Sequence, residues 1–511
     1  MLKLKPLLLL IVLGQNLNLY AQVKAKKADD FVNSIGVATH LSYSGVYTNT
    51  TNIKTQLLNL GIKHIRDGLD TKFPAAKELA ASGIKITGVL QGDFNIPAQT
   101  PAYWIDKVKK AGAIDAFEAF EGPNEADLSF MGFTYKGQGW PDGVKPFQKD
   151  LYTTVKGDPS ISNRPVLGPT IGSGVKGPLA NAVGDISAYV DYGNFHYYKA
   201  WGQSYSEGYP DWDLQSVKNF HNVMFGNKPY MATEGSYSTA TLTESGISEV
   251  VNAKYTLRFF LEYWRIGVVR TFKYELFDEG VDNANAEEKF GLIENDGTTV
   301  KKAGTAVKDI ISLLKDPAPS TVFTPGSLNF SIANADAYTH FNLLQKSTGK
   351  FYLIIWNDAP SWNDELKSEI NNNDAITLTF NQQILEAKLY SPCTNGTIAV
   401  STTARPTSMS ITVPNHPYIY EITMVDNPLN ITEQKNLNEI LLFPNPANAE
   451  LIINGHIDES SSYEITSIEG KSLQKGVVVN SSISIENLKS GLYLIKIKTE
   501  IGESVQRFVK E

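Results

Sequence analysis

The sequence predicts an α/β protein in which a (β/α)8 TIM barrel is followed by two β-rich domains. Between about residues 30 and 317, eight short apolar runs alternate with mostly amphipathic stretches. That rhythm and length are typical of a barrel, which commonly takes about 250 residues. The pattern changes at Asp316-Pro317-Ala318-Pro319, and the apolar runs beyond it are short and strand-like. A barrel domain at 28–317 is therefore expected to come first.

The predicted barrel strands, in chain order, are Ser34–Ala38, Ile62–Arg66, Ile84–Leu90, Ala116–Glu121, Val166–Pro169, Tyr189–His196, Pro229–Glu234 and Val268–Tyr274. The predicted helices are Thr51–Leu60, Pro74–Ala81, Trp104–Ala111, Val217–Phe225, Ser248–Ile266 and Val300–Leu314. A doubly wound open sheet is the structural alternative. It is disfavoured because no glycine-rich phosphate loop follows the first strand.

The rest of the chain divides by composition. Residues 318–426 predict a β-sandwich-like accessory domain. It could bind glycan or brace the barrel, and bracing is favoured because the domain follows the barrel with only a short connection. Its expected strands include Phe351–Trp356, Ile376–Phe380, Ala387–Tyr390, Met409–Val413 and Ile419–Met424. Residues 427–438 are polar and indicate a linker, and residues 439–511 predict a third, small β domain with Asn, Ser and Gly at its turns.

Composition excludes several classes of function. The chain has 46 Lys and Arg against 54 Asp and Glu, a net charge of −8, so no basic nucleic-acid footprint is present. A mildly acidic protein suits a neutral substrate, which needs no strong field to steer it. Seven histidines show no HExxH spacing, and a single cysteine, Cys393, cannot form a thiolate zinc site. No GxSxG motif occurs. We expect neither a metal nor a cofactor.

The N-terminus predicts export. Lys3 and Lys5 precede a short apolar run, Leu7–Leu13, and Leu19-Tyr20-Ala21 resembles a cleavage site with a small final residue. Residues 1–21 are therefore predicted to be a signal peptide, because the apolar run is too short to span a membrane. A lone cysteine would otherwise suggest the cytosol. We expect a secreted or cell-surface protein with no transmembrane segment.

Two carboxylates are placed where a barrel enzyme holds its catalytic groups. Glu125 lies in FEGPNEAD after the fourth predicted strand, and Glu234 lies in MATEGSYS at the end of the seventh. The C-terminal ends of barrel strands converge on one face. Cleaving a glycosidic bond needs an acid for the leaving oxygen and a second carboxylate across the anomeric carbon. Crowding of two carboxyl groups raises the pKa of the acid, which keeps it protonated.

These motifs resemble the clan A glycoside hydrolases over about residues 30–317. The resemblance implies a retaining enzyme with Glu125 as acid/base and Glu234 as nucleophile. It also implies roles for four further residues. Asn124 would bind the sugar 2-hydroxyl, Arg66 and Tyr198 would contact Glu234, and His196 would border the reacting subsite. By these contacts Arg66 and Tyr198 would hold Glu234 ionised and aimed.

Substrate contacts are less sharply indicated. Many clan A members end strand eight with a tryptophan, whereas this chain has FKYELFDEG, with Tyr274 or Phe277 nearest that place. Long loops after strands four and six carry aromatic residues, among them Trp140 and Trp201, that suit a polysaccharide. The alternative is that these rings pack the loops onto the barrel. Three further carboxylates compete for roles. Glu121 is expected as a hydrogen-bond partner, and Asp278 and Glu279 are candidates for binding sugar hydroxyls.

The C-terminal module carries a separate resemblance. Its pieces, in order, are LLFPNPANAELII, YEITSIEGKSL, ISIENLKSGLYLIKIKTE and the terminal RFVKE. They resemble the type A sorting domain of the type IX secretion system, which implies the type IX machinery as a partner. A generic β-rich binding module is the alternative.

The sequence therefore predicts a secreted retaining glycoside hydrolase that cleaves β-glycosidic bonds of a polysaccharide, endo-acting and β-glucanase-like. An exo-acting β-glycosidase of the same clan is one alternative, and a non-catalytic carbohydrate-binding surface protein is another. The sugar and its linkage stay open, because specificity depends on loop contacts.

Overall fold

The computed structural model describes residues 21–69, 72–90, 100–173, 176–198, 213–319, 322–425, 441–454, 457–458, 460–468, 470–499 and 502–511. The predicted signal peptide lies outside the described residues except for Ala21, and so does the whole of the predicted linker. The structure forms two compact units, the first ending at Met424 and the second beginning at Val425.

An eight-stranded parallel sheet forms the barrel of the first unit. Its members, called here barrel strands 1 to 8, are Ile35–Ala38, His64–Gly68, Lys85–Val89, Phe117–Glu121, Val166–Leu167, Gly193–His196, Tyr230–Glu234 and Val268–Lys273. Barrel strand 8 pairs with barrel strand 1, and a single bridge between Leu167 and Tyr192 joins barrel strands 5 and 6. The predicted TIM barrel is confirmed, with each strand inside or overlapping its predicted run.

Helices surround the barrel. Their bounds are Ala28–Asn33, Thr50–Leu60, Phe73–Ala81, Pro101–Lys110, Val144–Gly157, Lys176–Val183, Leu214–Phe220, Asn222–Phe225, Glu249–Arg265 and Lys302–Leu314. Short 3-10 turns lie at Gly45–Thr48, Ile114–Ala116, Ser129–Met131, Ser187–Tyr189 and Glu287–Lys289, and a small hairpin pairs Thr134–Tyr135 with Gln138–Gly139. None of the described helices is both long and apolar enough to cross a membrane.

Local chemistry explains where these helices begin and end. The Asn49 side chain accepts the backbone N–H of Asn52 and caps the helix Thr50–Leu60, and Gly61 ends it with a φ of 79°. Ser248 caps the helix Glu249–Arg265 by accepting the N–H of Val251. Its apolar residues, with Leu257 and Leu261 fully buried, pack between the barrel and the second domain.

A β-sandwich follows the barrel within the first unit. One sheet contains Ala21–Lys24, Ser327–Ala333, Asn373–Phe380 and Ser408–Pro414, and the other contains Lys26–Lys27, Thr339–Gln345, Phe351–Asn357, Ile384–Tyr390, Ala399–Ala404 and Tyr418–Met424. A short pair, Trp362–Asn363 with Ser368–Glu369, lies beside them. The segment before the barrel thus supplies one strand to each sheet, an arrangement that the sequence did not predict.

The barrel and the sandwich are joined through the helix Glu249–Arg265. Arg258, fully buried, donates from Nε to Asp358 Oδ1 at 2.6 Å and from Nη1 to the Ala359 carbonyl at 3.0 Å. One turn further along, Trp356 Nε1 donates to Glu262 Oε1 at 2.8 Å. These buried polar contacts hold the sandwich on the barrel's outer surface, in agreement with a bracing role.

The second unit is all β. It contains a three-stranded sheet, Leu441–Phe443, Glu450–Asn454 and Ser482–Ser484, and a four-stranded sheet, Ser462–Ser467, Ser472–Val477, Gly491–Thr499 and Gly502–Lys510. A separate apolar core that includes Leu451, Ile465, Ile495 and Phe508 fills it. The predicted fold class is confirmed for all three parts of the chain.

Candidate active site

A connected group of polar side chains lies at the C-terminal ends of barrel strands 2, 4, 6 and 7. Its members are Arg66, Glu121, Asn124, Glu125, His196, Tyr198, Thr233 and Glu234. The two carboxylates expected to be catalytic and four of the predicted binding residues are therefore brought together. These residues lie close together because the C-terminal ends of barrel strands meet at one face of the barrel.

Arg66 is the centre of the group. The buried guanidinium donates from Nε and Nη2 to the two oxygens of Glu121, both at 2.9 Å, and from Nη1 to Glu234. Burial alone would lower the pKa of Arg66, but the charges of Glu121 and Glu234 outweigh burial and raise it. A planar, permanently charged guanidinium can bind one carboxylate through two parallel hydrogen bonds while it donates to a second, a bidentate geometry that a lysine does not offer.

Glu234 ends barrel strand 7 and is mostly buried. Its Oε1 accepts from Arg66, and its Oε2 accepts from the Tyr198 hydroxyl at 2.6 Å. Both donors stabilise the carboxylate form and fix its direction, which is what a nucleophile requires. The Tyr198 contact and the Arg66 contact match the roles that the resemblance implies.

Glu125 lies four residues beyond the end of barrel strand 4, which stops at Glu121. Its φ of 45° lies in the left-handed region, which non-glycine residues adopt infrequently. The Thr170 hydroxyl accepts its backbone N–H at 3.0 Å and holds it there. Burial raises the pKa of Glu125, although Lys176 and Arg66 oppose the shift. A carboxyl group with a raised pKa is suited to serve as a general acid.

His196 joins the two halves of the site. Its Nδ1 lies 2.8 Å from Glu125 Oε1 and 3.7 Å from Glu234 Oε2, and its Nε2 lies 2.9 Å from Thr233 Oγ1. Burial lowers the pKa of His196 to about 4, so the ring is neutral near pH 7. One carboxylate oxygen of Glu125 lies within 4.8 Å of one of Glu234. Retaining glycosidases hold their two carboxyl groups roughly 5–5.5 Å apart and inverting ones roughly 6.5–9.5 Å apart, and this single oxygen–oxygen distance is compatible with the shorter range.

Asn124 is positioned as a hydrogen-bond donor. Its Oδ1 accepts from Arg66 Nη2 at 2.7 Å. With the amide oxygen occupied, the NH2 group is left to bind an acceptor such as a sugar hydroxyl. This arrangement supports the predicted contact with the 2-hydroxyl.

After barrel strand 8, Tyr274 rather than Phe277 lies beside the site. The Tyr274 ring is 6.3 Å from the Tyr198 ring and 5.5 Å from the His40 ring. Phe277 is fully buried and packs against Tyr47, with ring centres 5.3 Å apart. Of the two candidates from the sequence, Tyr274 is thus the one placed to contact a sugar.

A second cluster of side chains, beside Tyr274, was not predicted from the sequence. His40 follows barrel strand 1 by two residues, and its Nε2 lies 3.3 Å from Glu275 Oε2 and 3.7 Å from Glu279 Oε1. Tyr43 stacks on the His40 ring at 4.4 Å. Burial raises the pKa of Glu275 well above its usual range. A systematic scan of every strand end would have found His40, because strand 1 ends on the same face of the barrel.

Two carboxylates after barrel strand 8 have different surroundings. Asp278 is fully buried and forms an ion pair with Lys301 at 3.0 Å, so it does not reach a ligand. Glu279 is partly exposed beside His40 and stays a candidate for binding sugar hydroxyls. Glu287 lies near the same groups, because burial and then the charges of Glu234 and Glu125 raise its pKa.

The loop aromatics are mostly not at the site. Phe133 and Tyr135 pack against Phe147, with ring centres 6.1 and 5.1 Å apart. Trp140 is half-buried and packs against the barrel's hydrophobic core. Packing of the loop, the alternative left open above, describes these three rings. Trp201 lies outside the described residues.

Three groups of His, Asp and Glu could in principle hold a metal ion within the described part of the chain. They are His40 with Glu275 and Glu279, Glu125 with His196 and Glu234, and Glu262 with His340 and Asp358. The second group is the carboxylate pair itself, and Arg66 and Tyr198 already occupy Glu234. The third joins the barrel to the sandwich.

Comparison with known structures agrees with this fold. A family 39 glycoside hydrolase from the gut symbiont Bacteroides cellulosilyticus WH2 aligns with a TM-score of 0.54 and 15% identity, covering 77% of this chain and 82% of that one. A monomeric beta-xylosidase from Caulobacter crescentus CB15 aligns with a TM-score of 0.49 and 13% identity, over 79% and 98% of the two chains. The GH39 enzyme from Xanthomonas axonopodis pv. citri aligns with a TM-score of 0.47 and 14% identity, over 79% and 96%. At 15% identity, the first similarity establishes the fold.

Sequence comparison identifies the C-terminal region. Residues 441–511 match the secretion system C-terminal sorting domain. No protein of curated function matches the chain. The sorting domain places the protein outside the cell or on its surface, as predicted.

Proposed function

We propose that the protein is a retaining glycoside hydrolase that cleaves β-glycosidic bonds of a polysaccharide by double displacement. The observation that carries the proposal is the pair Glu125 and Glu234 at the C-terminal face of the barrel, with one carboxylate oxygen of each within 4.8 Å of the other. Their surroundings differ in the way the reaction needs. Glu234 accepts two strong hydrogen bonds that favour the carboxylate, while burial raises the pKa of Glu125.

In the proposed first step, Glu234 attacks the anomeric carbon and Glu125 gives its proton to the departing oxygen. A covalent glycosyl–Glu234 ester results. In the second step, Glu125 takes a proton from water, the resulting hydroxide adds to the anomeric carbon, and the ester bond breaks. Asn124 donates to the sugar 2-hydroxyl, a contact that strengthens in the transition state.

The proposed substrate is a neutral sugar. The Arg66 guanidinium is engaged by Glu121, Glu234 and Asn124, so it is not available for a sugar carboxylate. Glu279 and Glu287 lie at the same end of the barrel, and although burial raises the pKa of each, their ionised forms repel a uronic acid. His40 and Tyr274 are proposed to contact the sugar ring beside the nucleophile.

Endo action on a β-glucan-like chain is the finer proposal, based on the aromatic loops of the sequence. Phe130, which is 80% exposed in the loop after Glu125, supports it as a ring available for stacking. Exo action is the alternative. Size analysis of early products separates the two, because an endo-acting enzyme releases mixed oligosaccharides and an exo-acting one releases a single small sugar.

Export is proposed to use the type IX machinery, following the sorting domain at residues 441–511 and the predicted signal peptide. The machinery and the polysaccharide are the proposed partners.

Chemical rescue tests the catalytic proposal. Glu125→Ala should nearly abolish hydrolysis of a polysaccharide but spare the first step on aryl glycosides with good leaving groups, and azide should restore turnover as a β-glycosyl azide. Glu118→Gln is the control, since Glu118 lies in barrel strand 4, a few residues before Glu125, but pairs with His64 and Arg270. Hydrolysis of polysaccharide by Glu125→Ala at the wild-type rate would overturn the assignment.

A further inference from the structure

Thr233, immediately before Glu234, contacts three groups of the site at once. Its Oγ1 lies 2.9 Å from His196 Nε2, 3.0 Å from Glu121 Oε1 and 3.0 Å from Asn194 Oδ1. Thr233, Asn194 and Glu121 are fully buried. A hydroxyl group has a single proton to donate, so the chemistry of its neighbours decides where that proton goes.

Two of the three neighbours can only accept. Glu121 is paired with Arg66 through both of its oxygens, which makes it a carboxylate. Asn194 Nδ2 donates to the Gly168 carbonyl at 3.3 Å, and this contact directs the amide oxygen toward Thr233. The Thr233 proton is therefore shared between two acceptors, and none remains for His196. His196 Nε2 must then carry the hydrogen and donate to Thr233.

This arrangement determines the other side of the ring. A neutral imidazole that is protonated at Nε2 has a lone pair at Nδ1. Nδ1 lies 2.8 Å from Glu125 Oε1, so the hydrogen bond between them needs a proton on Glu125. An ionised Glu125 would instead face that lone pair without a donor.

We propose that Thr233 is a positioning residue that fixes the tautomer of His196 and so keeps the acid proton on Glu125. The inference rests on the proposed function for its catalytic meaning, because only a general acid needs this proton. The structural part, the tautomer of His196, does not depend on which reaction the protein performs.

The remaining charges around Glu125 and His196 agree with this proton count. The titratable groups that face Glu125 and His196 come from several elements; they are Arg66, Asp127, Lys176, Tyr198, Glu121, Glu234 and Glu287. Burial raises the pKa of Glu125 and lowers that of His196 to about 4, both of which favour a neutral pair over an ion pair. Burial also lowers the pKa of Lys176 to about 8, and its Nζ is held by the Ile171 carbonyl.

The same arrangement assists the second step. After Glu125 has given its proton to the leaving oxygen, the carboxylate faces the Nδ1 lone pair, an unfavourable contact. Taking a proton from the attacking water removes that contact and restores the resting state. Thr233 thereby strengthens Glu125 as a base in the step that needs one.

The first test reads the tautomer directly. Long-range proton–nitrogen NMR of the full chain with labelled histidine distinguishes a protonated ring nitrogen from one with a lone pair, and the His196→Gln variant identifies the signal among seven histidines. We expect hydrogen on Nε2 and a lone pair on Nδ1 near pH 6. A neutral ring with hydrogen on Nδ1 would overturn the proposal whether or not the protein is a hydrolase.

The second test uses matched variants. Thr233→Val removes the hydroxyl at nearly constant volume and lets Nδ1 donate to an ionised Glu125, whereas Thr233→Ser keeps the hydroxyl. A hydrogen bond to a charged group is worth about 1.5–3 kcal/mol, so the alkaline limb of the kcat/KM profile should move down by about one to two pH units in Thr233→Val. Thr233→Ser should keep the alkaline limb at its wild-type position. An equal loss of rate at every pH, with an unmoved limb, would contradict the proposal.

Discussion

Replacing Arg66 by methionine should cost both stability and activity, for separable reasons. Arg66 neutralises Glu121, whose side chain is fully buried. Once the guanidinium is gone, the Thr233 hydroxyl is the donor that remains to Glu121 among the described residues. Removing one partner of a buried ion pair typically costs about 3–5 kcal/mol. The free energy of unfolding of Arg66→Met should therefore fall by about that amount.

A double variant separates pairing from catalysis. Glu121→Leu combined with Arg66→Met replaces the buried pair with apolar side chains, a change that is often neutral for stability. We expect the double variant to recover most of the lost free energy of unfolding. Activity should not recover, because Glu234 and Asn124 both depend on Arg66 for their orientation. A misplacement of about 1 Å can cost about 100-fold in rate.

Denaturant unfolding of the wild type, both single variants and the double variant completes the cycle, with hydrolysis rates measured on the same preparations. If Arg66→Met unfolds at the wild-type denaturant concentration, Glu121 does not need its partner and the electrostatic argument is wrong. Recovery of activity in the double variant would show that Arg66 does not orient the nucleophile.

Three further predictions concern other parts of the chain. Asp358→Ala leaves Arg258 buried without its carboxylate and should lower the free energy of unfolding by about 3 kcal/mol. Its control is Asp106→Ala, at an exposed pair with Lys110, which should leave the melting temperature unchanged. Equal melting temperatures for both variants would contradict the prediction. Gly172→Ala puts a Cβ 2.9 Å from Glu125 Cδ and 2.5 Å from Leu128 Cδ1, so kcat should fall about tenfold or more, while Gly157→Ala, with open space at its Cβ, should not change it. Deleting residues 427–511 should leave hydrolysis intact and block export from a host with the matching secretion system, and normal export of the truncated protein would refute the sorting assignment.

The barrel could be predicted because its sequence signal is local. Each strand is a short apolar run between helices, and all eight predicted runs contain or overlap an observed strand. The positions of Glu125 and Glu234 followed from that pattern, because strand ends converge on one face. Asn124, Arg66, His196 and Tyr198 were located by resemblance, and the structure brings all four to the same place.

What could not be predicted depends on contacts between distant residues. The register of barrel strand 6 shifts between Phe195 and His196, which sets His196 opposite Glu234, and no sequence pattern marks such a shift. Thr233 looks like an ordinary buried strand residue until its three partners are known. The aromatic residues of the loop after Glu125 were expected to suit a polysaccharide, but two of them, Phe133 and Tyr135, pack against Phe147. An aromatic ring suits a loop interface and a sugar equally well.

The two strands of the N-terminal segment could not be predicted from the sequence pattern either. Ala21–Lys24 and Lys26–Lys27 are too short and polar to indicate strands, yet each pairs with a sandwich sheet more than 300 residues away. Their strand geometry depends on pairing with the edges of the two sandwich sheets, and the residues next to them in the sequence carry no information about that pairing.

The anomeric configuration of the first-formed product tests the central claim most directly. Direct attack by Glu234 followed by attack of water inverts the same carbon twice and restores its configuration. Proton NMR of a fast hydrolysis, read before mutarotation on a substrate found by screening neutral polysaccharides, should show the product with the configuration of the bond that was cut. A first-formed product of the opposite configuration would exclude Glu234 as the nucleophile and, with it, the double-displacement mechanism.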